Sequence, residues 1–275
     1  MLMIGGVDLD LITILAILSL LLVALIFSPL GLGGGVLYVP IFYYMLEWEM
    51  QEAVIGSLTL VLMVSLGSSL SHSKAGLADK EAANTGRITA IPSAIIGTLL
   101  SGIFISLLGD IIIKILATII LIFVIERTIK QMKNQAVESK EIPLLEKRNP
   151  YLLGNSFAGL SSGMLGIGGG AILVTSNRSI LRMDANKAAG TSYLVASTIV
   201  PVALISHIIL DGVTGNIIDR IRLLPIIIFI PHLAFISSFI GAKYAIKHLS
   251  KRTVTIVFLC AVSLSLLRYI IDFVN

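Results

Sequence analysis

The stretch SPLGLGGGVLYVP, residues 28–40, interrupts a long apolar run with four glycines, three of them consecutive. Glycine costs a helix about 1 kcal/mol per residue relative to alanine, so an apolar segment that gathers glycines gives up helix there. A second stretch, SSGMLGIGGGAILVT at residues 161–175, does nearly the same. The two align at an offset of 135 residues, which matches Gly31, Gly33, Gly34 and Gly35 with Gly166, Gly168, Gly169 and Gly170. The same offset pairs Ala53 with Ala188, Ser57 with Ser192 and Ser71-His72 with Ser206-His207. After small insertions, Gly76 pairs with Gly212, Ile91-Pro92 with Ile230-Pro231 and Gly102 with Gly241. The chain is therefore read as a duplicated half.

The solvent of this chain is not water. Of its 275 residues 56% are hydrophobic and 13% charged, against about 25% charged in soluble domains. Apolar blocks near the roughly 20 residues that a bilayer core demands run over Leu9–Phe27, Val54–His72, Ile88–Leu108, Ile111–Ile129, Ala188–Leu210, Leu223–Ile246 and Val254–Ile271. The expectation is an all-α polytopic membrane protein with no soluble domain. The single cysteine, Cys260, excludes an intramolecular disulfide and paired-cysteine metal or redox sites. The N-terminal block lacks a basic flank and a small-residue cleavage site, so it reads as a retained span. Basic residues do not cluster around stacking aromatics, so no nucleic-acid partner is expected.

Charge placement predicts the topology. The polar stretch RTIKQMKNQAVESKEIPLLEKRNP, residues 127–150, holds six basic residues and reads as a cytoplasmic linker, because cytoplasmic loops are rich in Lys and Arg. If each half crosses an odd number of times, 16 of the 20 basic residues fall inside, and the acidic loop Glu47, Glu49, Glu52 falls outside with both termini. An even count divides them 11 to 9. The odd count makes the halves inverted repeats, a recurrent architecture of secondary transporters. Each half is a glycine-rich helical hairpin plus three transmembrane helices, with residues 1–130 as the first repeat, 131–149 as the linker and 150–275 as the second repeat.

Two glycine clusters carried by hairpins from opposite faces would meet near mid-membrane. Irregular backbone is tolerated there only where protein or a wet cavity covers it. Glycine permits positive φ and close approach to a ligand, and each cluster precedes a restarting helix whose free N–H groups favour an anion. The candidate binding residues are Gly33, Gly34, Gly35, Gly168, Gly169 and Gly170, with the hydroxyls of Ser57, Thr59, Thr191 and Ser192. His72, His207 and His232 are the candidates for a coupled proton, since histidine changes charge near neutral pH; His72 and His207 fall at span ends and His232 deeper. Tyr38, Tyr43, Tyr44 and Trp48 read as interface anchors. No carboxylate pair, metal-ligand spacing or nucleophile–base pair stands in the spans, so neither enzyme nor metal site nor cofactor is expected.

The paired stretches GLGGGVLYVPIF and SSGMLGIGGGAILVT, each followed some twenty residues later by AVIGSL and AAGTSYL, resemble the TauE/SafE sulfite exporter family. The resemblance spans nearly the whole chain, departing at Pro29 and Thr175. It implies a secondary transporter of the cell membrane that exports small sulfur-containing oxyanions such as sulfite or organosulfonates. The alternative is a passive channel or a permease for another small metabolite. A site of dipoles without counter-charge leaves the bound anion negative, so outward movement gains about 2.3 kcal/mol per 100 mV and a voltage-driven uniport is expected. The expected partners are the anion and the bilayer, and a homo-oligomer is compatible with the sequence.

Overall fold

A computed structural model describes residues 2–4, 7–133, 141–248 and 250–274. The first five α-helices are α1 (Leu11–Phe27), α2 (Gly35–Pro40), α3 (Met50–Lys74), α4 (Lys80–Leu108) and α5 (Ile111–Lys133). The remaining six are α6 (Arg148–Leu165), α7 (Gly170–Ser179), α8 (Ala185–Leu210), α9 (Thr214–Leu223), α10 (Ile230–His248) and α11 (Lys251–Val274). The all-helical expectation needs one small correction: β1 (Leu2–Ile4) and β2 (Val7–Leu9) pair antiparallel, Leu2 opposite Leu9. Residues 134–140 of the expected linker lie outside the described residues.

Acidic residues start four of the helices. Asp10 accepts the Thr13 amide at 2.9 Å, and Asp79 accepts that of Ala82 at 3.0 Å. Glu49 and Glu52 form a reciprocal cap on α3, and Asp184 caps α8. Each cap satisfies amides that the first helical turn leaves free. Helix α1 is apolar on both faces. On α1, Ala16, Leu20, Val23 and Phe27 are buried while Leu11, Leu15, Leu18 and Leu22 on the other face are exposed. A helix apolar on both faces belongs in a membrane or a large core. By length and composition α3, α4 and α8 can each cross a bilayer, and the apolar helix α1 is shorter.

Two breaks in helix fall at prolines. After Pro40 the chain makes a π-helical turn, Ile41–Met45, closed by the Leu46 amide on the Ile41 carbonyl at 3.2 Å. The expected span Leu223–Ile246 is not one helix. Leu224 is driven out of helical conformation ahead of Pro225, a 3₁₀ turn follows at Pro225–Ile228, and α10 restarts at Ile230. Pro231 is accommodated in that first turn, where its missing N–H costs nothing.

The order helix, glycine turn, short helix, long helix, two further helices occurs twice, as α1 to α5 and as α6, α7, α8, α10 and α11, with α9 inserted in the second set. Packing is reciprocal. Helix α4 lies on α6 as α10 lies on α1, α4 meets α8 as α10 meets α3, and α3 meets α8 as α5 meets α11. Helices α3 and α8 run antiparallel: His72 faces Gly190, while Val61 and Val200 both face Gly168. In the second half α6 and α7 double back on each other, with the Tyr151 hydroxyl donating to Asn177 Oδ1 at 2.9 Å. The core is the seam where these helices surround the two glycine turns.

Close packing explains a different set of glycines. A Cβ at Gly159 would stand 2.0 Å from the Ala90 carbonyl oxygen, and one at Gly163 2.0 Å from that of Ala94, so α4 and α6 touch backbone to backbone. Gly159→Ala is expected to destabilise the protein by at least the ~1–3 kcal/mol typical of overpacking. A Cβ at Gly102 meets nothing nearer than 4.0 Å, so Gly102→Ala is expected to stabilise by about 0.5–1 kcal/mol through helix propensity. Thermal melts in detergent measure both, and equal shifts would refute the packing assignment.

Candidate functional site

The two glycine turns adopt the same backbone, residue for residue. Gly31, Gly33 and Gly34 have φ of 79°, 71° and 82°, and their equivalents Gly166, Gly168 and Gly169 have 68°, 73° and 67°. This left-handed region is costly for any residue with a Cβ. Gly34 and Gly169 cap α2 and α7, whose first residues are Gly35 and Gly170.

The turns pack against one another. A Cβ at Gly35 would fall 2.5 Å from Ile167 Cα, and one at Gly170 would fall 2.7 Å from the Gly31 carbonyl oxygen. Gly33 and Gly168 both face Val61 of α3. The clusters meet, as the sequence predicts, and the approach is closer than any side chain allows.

Each turn is held by a serine from the opposite half. The Ser57 hydroxyl donates to the Gly166 carbonyl at 2.7 Å, and the Ser192 hydroxyl donates to the Gly31 carbonyl, also at 2.7 Å. Both residues are fully buried. The Ser57 proton thus serves a turn, the Ser192 proton is shared between the Gly31 carbonyl and the Ala189 carbonyl at 2.9 Å, and what both offer a ligand is lone pairs. Thr59 donates to the Ile55 carbonyl at 2.8 Å, and the buried Thr191 accepts the Asp79 amide at 2.9 Å. Among the described residues neither of these hydroxyls bonds a glycine turn.

The three histidines have separate fates. His207 is buried, with Nδ1 2.7 Å from Asp211 Oδ2 and Nε2 2.6 Å from the Gly163 carbonyl. His72 is buried with Nδ1 2.9 Å from the Ser68 carbonyl, and its Nε2 has no partner. His232 is exposed in the first turn of α10, after the proline-broken segment, with Nδ1 on the Ile228 carbonyl at 3.1 Å. Two anchor assignments also change. Tyr38 and Trp48 are buried, Tyr38 completely.

Several polar side chains escape a reading based on matched repeats, because their equivalents are apolar. Tyr193 matches Leu58, Ser65 matches Val200 and Ser68 matches Ala203. The Tyr193 hydroxyl donates to the Phe27 carbonyl at 2.9 Å and accepts the Gly33 amide at 3.4 Å. A signal was present: Val61, Ser65, Ser68 and His72 follow the spacing of one helix face, which carries polarity toward the glycines.

Between α3, α9 and the start of α10 lies an apolar cavity of about 280 Å³, lined among others by Phe42, Trp48, Gly56, Thr59, Ile228 and Pro231. The equivalent place in the other half is filled. There a Cβ on Gly190 would fall 1.7 Å from the Leu77 carbonyl oxygen, Asp79 bonds Thr191, and the Arg87 guanidinium caps the Leu194 carbonyl. Lys187 pins this closure by pairing with Asp79 at 3.3 Å and with Glu141 at 2.8 Å. Among the described residues no three His, Cys, Asp or Glu side chains gather as a metal site.

Ser57→Ala and Ser192→Ala are each expected to cost about 0.5–1.5 kcal/mol, the worth of one neutral hydrogen bond. The double change should fall short of or exceed the sum, because the two clamps act on turns in contact. Denaturation of the four proteins in detergent measures this, and strict additivity would show that the turns do not communicate.

The model of the family described as Sulfite exporter TauE/SafE matches residues 16–269. No curated protein and no solved structure matches the chain. With that match over nearly its whole length, and with apolar helices long enough to cross a bilayer, this multi-pass membrane protein belongs to the sulfite exporter TauE/SafE family.

Proposed function

We propose that the protein carries small sulfur oxyanions, such as sulfite or an organosulfonate, out of the cell across the cell membrane by alternating access around the two GxGGG turns. The observation that carries this reading is the reciprocal pair of turns, each clamped by the other half's serine. Successive backbone amides in left-handed turns form concavities suited to anions. The family supplies the substrate class.

The halves are inverted repeats in this proposal, residues 1–130 and 150–275 joined by a cytoplasmic linker at 131–149. The antiparallel run of the equivalent helices α3 and α8 supports it, as does the division of basic residues, 16 of 20 on the linker side. Alternation is favoured over a passive channel by the two equivalent vestibules, one a cavity and the other filled by Leu77, Asp79 and Arg87. The cavity side is the outer one by this topology.

Liposomes reconstituted with the protein and loaded with sulfite test the transport reading. Efflux should be saturable and far above that of empty vesicles, and an inside-negative potential should accelerate it. No efflux of any oxyanion would overturn the substrate class. Labelling by an impermeant thiol reagent in a Cys260-free background tests the geometry. Glu49→Cys and Lys147→Cys should react from opposite sides, and same-side reaction would refute inversion. Thr59→Cys should react from outside much faster than its equivalent Leu194→Cys reacts from inside.

A further inference from the structure

We propose that the anion binds, together with one proton, to a polar patch on one side of the first glycine turn, formed by the hydroxyls of Tyr38, Ser65, Ser68 and Tyr193 and by Nε2 of His72. The inference rests on the transport reading above and assigns its site.

Ser65, Ser68 and His72 share one face of α3, continuing from Val61, which abuts Gly33. Tyr193 of α8 closes that face: its hydroxyl receives the Gly33 amide at 3.4 Å and its ring centroid lies 5.7 Å from that of His72. Tyr38 stacks over Gly34, its ring within 2.9 Å of where a Cβ would stand, and lies near Tyr193. All five residues are buried, and Tyr38 Oη, Ser65 Oγ, Ser68 Oγ and His72 Nε2 have no protein partner. A buried polar group left unpaired is destabilising, so four on neighbouring surfaces point to a ligand. The other unpaired side-chain atoms among the described residues belong to Ser101, Asn155 and Ser162, on α4 and α6.

The duplication supplies an internal control. The equivalents of Tyr38, Ser65, Ser68 and Tyr193 are Leu173, Val200, Ala203 and Leu58. The fold therefore packs without polarity at these positions. Even the matched histidine differs, since His207 is fully engaged by Asp211 and Gly163.

The proton follows from the tautomer. The Ser68 carbonyl can only accept, so Nδ1 of His72 carries hydrogen and neutral His72 presents the bare lone pair of Nε2. That lone pair repels an anion's oxygen unless a proton lies between them. The surrounding elements offer no substitute charge. Tyr193 faces His72 from α8; Lys187 is paired with Asp79 and Glu141; Lys74 lies over the Phe239 ring of α10 at 5.5 Å. The complex is thus an oxyanion whose oxygens accept from the hydroxyls and whose one proton bridges to Nε2. Sulfite enters as a dianion plus one proton, or equally as hydrogen sulfite, and keeps one negative charge. Sulfate, a far weaker base, brings no proton near neutral pH and binds more weakly.

Calorimetric titration of the purified full-length protein with sodium sulfite at pH 8, in two buffers of different ionisation enthalpy, reads the proton count. The expected result is uptake of about one proton per anion, affinity falling tenfold per pH unit above pH 8, and sulfate binding at least tenfold weaker. His72→Leu should lose the pH dependence and bind at least tenfold more weakly. Ser65→Ala, Ser68→Ala and Tyr193→Phe should each weaken binding threefold or more at an unchanged proton count, and His207→Gln should leave the count unchanged. Sulfite binding without proton uptake, or uptake that survives His72→Leu, overturns this site while leaving the transport reading intact. Should His72→Leu fail to fold, unaltered binding in the two serine variants and Tyr193→Phe overturns it instead. A folded protein that binds no oxyanion overturns both.

Discussion

Everything in this molecule is arranged around one contact, the backbone of one glycine turn against the backbone of the other. Gly35 against Ile167 and Gly170 against Gly31 leave less room than a methyl group occupies. Six glycines in left-handed conformation are needed to bring two chain reversals so close. Once irregular backbone is buried, its carbonyls must find donors, and α3 and α8 provide them through Ser57 and Ser192. The long helices are in this sense brackets for two short turns.

Around this contact the scaffold is symmetric and the chemistry is not. The glycines, clamp serines and helix order repeat faithfully. Polar side chains crowd one side of the contact, and leucine, valine and alanine fill the other. The vestibules differ likewise, one hollow and one plugged by the loop after α3. A repeated frame with unequal lining thus presents two different surfaces on the two sides of one contact.

Much of this was legible in sequence because glycine at φ above zero has no substitute, so the duplicated GxGGG survives as letters. Helix starts were less so: the apolar blocks begin at Val54, Ile88 and Ala188, while the acidic caps Glu49, Asp79 and Asp184 carry the helices further back into polar sequence. Side-chain direction was not. Ser57 and Ser192 stood out as hydroxyls near a ligand, yet each points at a carbonyl more than a hundred positions away in the chain. Tyr38 looked like an interfacial anchor because tyrosine often is one, and only the fold shows its hydroxyl sealed inside. Hydropathy could not see the break at Leu224–Phe229, because Pro225 interrupts the backbone without lowering apolarity. Matching repeats against each other highlights what the halves share, and so passes over the residues in which they differ.

The exchanged serine clamps also bear on how the two halves depend on each other. The Gly166 carbonyl takes its donor from Ser57 of the first half, and the Gly31 carbonyl takes its donor from Ser192 of the second. Neither turn is held by its own half, so loosening one half withdraws a donor from the turn of the other.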